Sequence, residues 1–242
     1  MLHQSQRSGG TKKTKTMKTS FVMLGLVAFI CTFAQAQSGP LRGSGKVLTK
    51  SFNFQDFDKL NFEDFDGNIE VEVGKPFSIK IEIDENLAPR LKVEKDAKEY
   101  TLTVKLEGNY NGKLYLEDTR IKIKVTLPEA SVIQHRGNTN LHVSGILGRY
   151  FRLENNGNGT ATLQGNIDEL DLKKNGNSEV RARNLVAKTA KVKSYGNGNV
   201  SVNAQISLTA HGAGNCSVMQ FGPGRIEPMS GIVGNGSVKT AF

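Results

Sequence analysis

Residues 190–202 read A-K-V-K-S-Y-G-N-G-N-V-S-V, and this stretch decides the fold. Ala190 and Val192 alternate with lysines, Val200 and Val202 alternate with polar residues, and Gly196-Asn197 lies between the two runs. Alternation with a period of two marks a strand with one inward face, and a Gly-Asn pair marks a sharp corner. The dipeptide recurs at Gly137-Asn138, Gly157-Asn158, Gly176-Asn177, Gly196-Asn197, Gly214-Asn215 and Gly234-Asn235, at spacings of 20, 19, 20, 18 and 20 residues. Four residues after each glycine stand Leu141, Ala161, Val180, Val200, Val218 and Val238. Four before it stand Ile133, Leu153, Leu172, Val192 and Ala210. Self-similarity at this period marks a stacked repeat, because one such unit cannot bury its own apolar face.

The pattern predicts an all-β chain: a right-handed parallel β-helix of about 20-residue Gly-Asn coils, with a β-rich but less regular N-terminal part. The twelve corner residues are assigned structural roles. Glycine accepts a positive φ at the corner, and stacked asparagines can exchange amide hydrogen bonds from coil to coil. The last repeat decays, with Pro228 and Ser230 at inward positions of its first strand, as a terminal cap requires.

Working toward the N-terminus, 131–242 is the repeat region and 47–130 the less regular part, with Leu127-Pro128-Glu129 as the seam. Residues 69–73, 78–83, 100–106 and 120–125 alternate apolar with charged side chains, as strands with one wet face do. Gly67-Asn68, followed by Val71 and Val73, repeats the coil signature and predicts continuity across the seam. Residues 37–46 are expected to be a flexible leader. Residues 1–36 read as a secretory signal peptide: Lys18, the apolar stretch 21–33, then Ala34-Gln35-Ala36 before a mature start at Gln37, with Met17 a candidate true start. Its apolar stretch is shorter than the roughly 20 residues a span needs, so no transmembrane segment is expected after signal removal. Removing it also takes five basic residues and no acidic ones, lowering the net charge from +9 to +4 and weakening any case for nucleic-acid binding.

These features together, an A-x-A signal, a β-rich lead-in, the Leu-Pro seam and serial Gly-Asn strands, resemble the head GIN domain family of auto-transporter adhesins, common in Bacteroidetes. The resemblance covers roughly residues 45–242. It implies the parallel β-helix fold, a periplasmic or cell-surface location and a binding role without catalytic residues.

The chemistry-bearing residues agree with that implication. The carboxylates of the repeat region, Glu154, Asp168, Glu169, Asp171, Glu179 and Glu227, recur at no fixed position and sit among lysines and arginines, as an ion-paired solvated face does. The acidic run Asp56, Asp58, Glu63, Asp64, Asp66 is interleaved with phenylalanines and lacks the order of a calcium loop. His135, His142, His211 and Cys216 have no metal-ligand spacing. No catalytic residue, cofactor or metal ligand is assigned. The reading is a non-catalytic exported surface or periplasmic scaffold, whose small polar outward residues Asn140, Thr160, Thr162, Asn199, Ser201, Ser217 and Ser237 suit a glycan or a cell-envelope protein. The alternative is a carbohydrate-active β-helix enzyme, a polysaccharide lyase or hydrolase, which would need clustered carboxylates.

Overall fold

The computed structural model of the chain describes residues 41–108 and 116–241. The expected signal peptide, its cleavage site and the first part of the expected leader lie outside the described residues. No described helix is long and apolar enough to cross a membrane.

The described strands are β1 (Leu41–Arg42), β2 (Val47–Phe52), β3 (Lys59–Phe65), β4 (Asn68–Val73), β5 (Ser78–Asp84), β6 (Leu91–Asp96), β7 (Thr101–Leu106), β8 (Leu116–Glu117) and β9 (Lys122–Leu127). Beyond the seam come β10 (Val132–Gly137), β11 (Asn140–Gly157), β12 (Thr160–Asn177), β13 (Glu179–Gln220), β14 (Arg225–Ile226), β15 (Gly231–Gly234) and β16 (Val238–Thr240). In β5 the alternation is complete: Ile79, Ile81 and Ile83 are buried, while Lys80 and Glu82 are exposed. Within 37–46, Leu41 and Arg42 pair in parallel with Leu116 and Glu117.

All but β1 and β8 join one mixed sheet of fourteen strands, wrapped about its core like a nearly closed barrel. This overturns the right-handed parallel β-helix predicted from the repeat. Strand β2 runs antiparallel to β5, β5 antiparallel to β9, and β6 antiparallel to β7. The layers also depart from chain order. Strands β3 and β4 lie between β7 and β9 on one side and β10 and β11 on the other. The chain therefore passes from 59–73 outward to 101–127, then returns across its own earlier strands to reach 132. A period-two pattern fixes which side chains point inward, but it leaves open whether the neighbouring strand is parallel, antiparallel or near in sequence. That is why the alternation misled.

From β10 to β13 the described pairs are parallel, with residues facing partners 19 or 20 positions away, such as Leu141 and Ala161 or Gly176 and Gly196. The inward side chains change along the stack. Phe62, Leu60, Ile69, Ile81 and Ile123 fill the core near β3, β4, β5 and β9, whereas Ala182, Ala190, Val200, Val202, Ala204 and Ala210 fill it along β13.

Candidate binding face

The corner residues come first, because they set the geometry of the face beside them. Gly137 pairs with Gly157 and Gly176 with Gly196, so the corner glycines form a column. A Cβ on Gly157 would lie 1.9 Å from the Gly137 carbonyl oxygen, and one on Gly196 would lie 2.6 Å from that of Gly176. Gly214 and Gly234 repeat the approach, at 2.5 and 2.7 Å from the preceding corner carbonyl. Gly196 also has φ of +90°, a region that a side chain disfavours by about 1–2 kcal/mol. Close approach is thus the stronger reason for glycine here. Of the neighbouring asparagines, Asn158 donates through Nδ2 to Asn138 Oδ1 at 2.9 Å, and Asn197 to Asn177 Oδ1 at 2.6 Å. Asn215 and Asn235 continue the column beside Gly214 and Gly234, where the Asn235 amide N–H donates to the Gly214 carbonyl.

Past the corner, three adjoining depressions form a shallow groove on the outward side of the second strand of each repeat. One, of about 450 Å³, is lined by Asn68, Lys122, Asn140, His142, Thr162 and Arg181, among others. A second, about 390 Å³, lies over Asn158, Thr160, Asn177, Glu179, Asn197 and Asn199. A third, about 560 Å³, is lined by Thr162, Glu179, Arg181, Arg183, Asn199 and Ser201, with Met219 and Phe221 at its end. Thr160, Thr162, Glu179, Arg181 and Asn199 are each shared by two depressions, so the surface is continuous. Most of its groups are amides and hydroxyls on rigid paired strands, which donate and accept without bringing charge. Ser217 and Ser237 meet at 3.5 Å farther along the stack.

The carboxylates that a glycosidase or lyase would need are mostly held in ion pairs, Glu179 among them at the groove itself. Arg152 pairs with Glu154 at 2.5 Å and with Asp171 at 3.4 Å, and Lys173 lies 3.8 Å from Glu154. Asp168 pairs with Lys188, Glu179 with Arg181 and Glu227 with Arg225. Among the described residues, no group of three His, Cys, Asp or Glu side chains could hold a metal ion. In the acidic run, Asp58 accepts a hydrogen bond from the Ser131 hydroxyl, and burial raises the pKa of Asp66.

Sequence reasoning missed a buried polar column beside the corner. Two residues before the first four corner glycines stand His135, Asn155, Lys174 and Ser194, all buried. His135 donates through Nδ1 to Asn155 Oδ1 at 2.5 Å and accepts at Nε2 from the Thr139 hydroxyl. Burial lowers the His135 pKa, which favours the neutral ring. Lys174 donates to the carbonyls of Gly176, Tyr195 and Asn197 at 3.3, 3.3 and 2.7 Å, and burial lowers its pKa too. Cys216 is buried, with its thiol 3.4 Å from the Ser194 carbonyl oxygen. A signal for this column existed. Positions two before the glycine are in phase with the inward positions four and six before it, so their side chains had to point in. Asp84 was missed as well: fully buried, it accepts from the Gly45 and Arg120 backbone amides and ties residues near the N-terminus to the sheet.

The family described as "Putative auto-transporter adhesin, head GIN domain" matches residues 56–223. No curated protein matches. Among solved structures, an adhesin-like protein from Bacteroides fragilis, described as a putative adhesin, is similar at 20% identity with a TM-score of 0.63. The match covers 83% of this chain and all of that one. A protein from Parabacteroides distasonis, described as a putative lipid binding protein, is similar at 20% identity with a TM-score of 0.49, over 84% of this chain and all of that one.

Proposed function

Because the chain belongs to the family described as "Putative auto-transporter adhesin, head GIN domain", we propose that it is a non-catalytic binding scaffold, exported to the cell envelope, that holds an extended glycan along its groove. The observation that carries this reading is the continuity of the three depressions over a face of amides and hydroxyls. A chain of sugar rings offers hydroxyls that such groups can meet one after another. Many weak contacts then sum without a deep pocket. The ion pairing of Glu154 and Asp171 with Arg152 supports binding over cleavage, since an acid–base pair for glycoside hydrolysis needs carboxylates facing a bound sugar. The export sequence at 1–36 supports the location, and the boundaries 37–46, 47–130 and 131–242 remain our division of the mature chain.

Titration of the chain from Gln37 onward with oligosaccharides, paired with Thr162→Arg and Asn199→Arg, tests the reading. Thr162 and Asn199 each border two depressions. Saturable binding that either substitution abolishes, with melting unchanged, is the expected result. Binding that neither substitution alters, or cleavage of the oligosaccharide, would contradict it.

A further inference from the structure

We infer that the Phe221 end of the groove receives the acidic group of a uronic-acid sugar, read by the guanidinium of Arg183; this rests on the glycan reading above. Arg183 Cζ sits 4.5 Å from the centre of the Phe221 ring. Stacking of this kind fixes a long side chain that would otherwise lose rotamer freedom on binding, and it leaves the edge N–H groups free to donate. The Arg183 backbone is held too, its carbonyl accepting from Asn203 Nδ2 at 3.1 Å.

Charge makes Arg183 different from its neighbour. Arg181, in the same depression, is engaged by Glu179 at 2.6 Å, and that hydrogen bond raises the Arg181 pKa. Among the described residues, no carboxylate lies within ion-pair distance of Arg183. The depression of about 560 Å³ is therefore bordered by one neutralised arginine and one fixed cation with open donors. Asn184, Asn199 and Ser201 stand beside it and can meet sugar hydroxyls. A planar guanidinium fork pairs bidentately with a planar carboxylate, whereas a neutral hydroxyl uses one donor and no charge. The amide-rich remainder of the groove favours a sugar chain over an acidic peptide, because its Asn, Thr and Ser side chains can meet ring hydroxyls that a peptide of acidic residues lacks.

Calorimetric titration of the chain from Gln37 onward with hexagalacturonate, maltohexaose and hexaglutamate separates the possibilities. Hexagalacturonate is expected to bind about tenfold tighter than maltohexaose, as one charge-assisted contact implies, and to weaken as salt rises. Arg183→Gln should bring it to the level of the neutral sugar, Arg183→Lys should recover part of the loss, and Phe221→Leu should weaken binding by freeing the side chain. Undiminished hexagalacturonate binding in Arg183→Gln, or equal binding of hexaglutamate, would overturn the inference. Maltohexaose binding with no preference for the acidic sugar overturns it while leaving the groove reading intact. Binding of no sugar overturns both.

Discussion

The strands before the seam and those after it reach the same buried, one-faced sheet by different means. Before it, β2, β5, β6 and β9 include antiparallel pairs, the core is filled by phenylalanine, leucine and isoleucine, and the exposed face carries ion pairs such as Lys124 with Glu72 at 2.5 Å. After it, β10 to β13 pair in parallel, the core thins along β13 to mostly valine and alanine, and the corners carry glycine, asparagine and enclosed polar groups. Regular stacking places each corner on its equivalent, so whatever stands there must fit against a copy of itself. The antiparallel strands meet no such condition. Chain tolerance should differ accordingly.

Glycine substitution gives the largest effect. Gly157→Ala puts a Cβ where only 1.9 Å separates it from the Gly137 carbonyl oxygen, and the backbone there is paired and cannot yield without breaking the layer. Its expected loss is more than about 3 kcal/mol on chemical denaturation, in the range of severe core damage. Before the seam, Gly74 has a positive φ, +86°, which Gly157 does not, but a Cβ there would meet nothing within 4 Å. Gly74→Ala should cost only the backbone term, about 1–2 kcal/mol. Equal losses at the two sites would break the comparison.

The enclosed polar column gives the next effect. Lys174→Met removes the donor to three backbone carbonyls and should destabilise by about 1–3 kcal/mol in urea denaturation at neutral pH. A third, smaller effect is a pH dependence. The folded state holds His135 below its ordinary pKa of 6.5, so the unfolded chain binds the proton more readily. Stability from His135 is fully present above pH 6.5 and declines as pH falls below it. Melting of His135→Gln should show less acid sensitivity than melting of the unaltered chain. An unchanged acid slope would place the sensitivity elsewhere.

The smallest effect belongs to the exposed ion pairs before the seam. Hydrogen bonds from Lys124 and Lys75 hold Glu72 down to about 2, so its contribution is present above pH 4.5 and is lost only as pH approaches 2. Because these groups face solvent, Glu72→Gln should shift melting slightly, and added salt should erase the difference.

How much of this was legible follows from the same contrast. The corner glycines and the inward valines, leucines and alanines of 131–220 could be read directly, because a fixed period labels equivalent residues. The sheet's mixed pairing could not. Val71 pairs with Val125 and Val143, residues that no local pattern connects to it. Nor did the alternation of Ile79, Ile81 and Ile83 announce that β5 runs against its neighbours. In the groove, Asn140, Thr160, Thr162, Asn199 and Ser201 were recognisable as outward and uncharged. The pairing of Arg183 with Phe221 was hidden, since it links side chains 38 positions apart that only the stacking brings together.

The central claim is that ligand sits on the amide-rich outward face of the second strands, rather than on the face that carries Arg152, Lys173, Lys191 and Lys193. Backbone amide chemical-shift mapping during titration with hexagalacturonate tests this directly. The expected shifts run through Asn140, Thr160, Thr162, Asn199, Ser201 and Arg183 and leave Arg152, Lys173, Lys191 and Lys193 unmoved. Shifts centred on those charged residues, or on β2 and β6, would contradict the account.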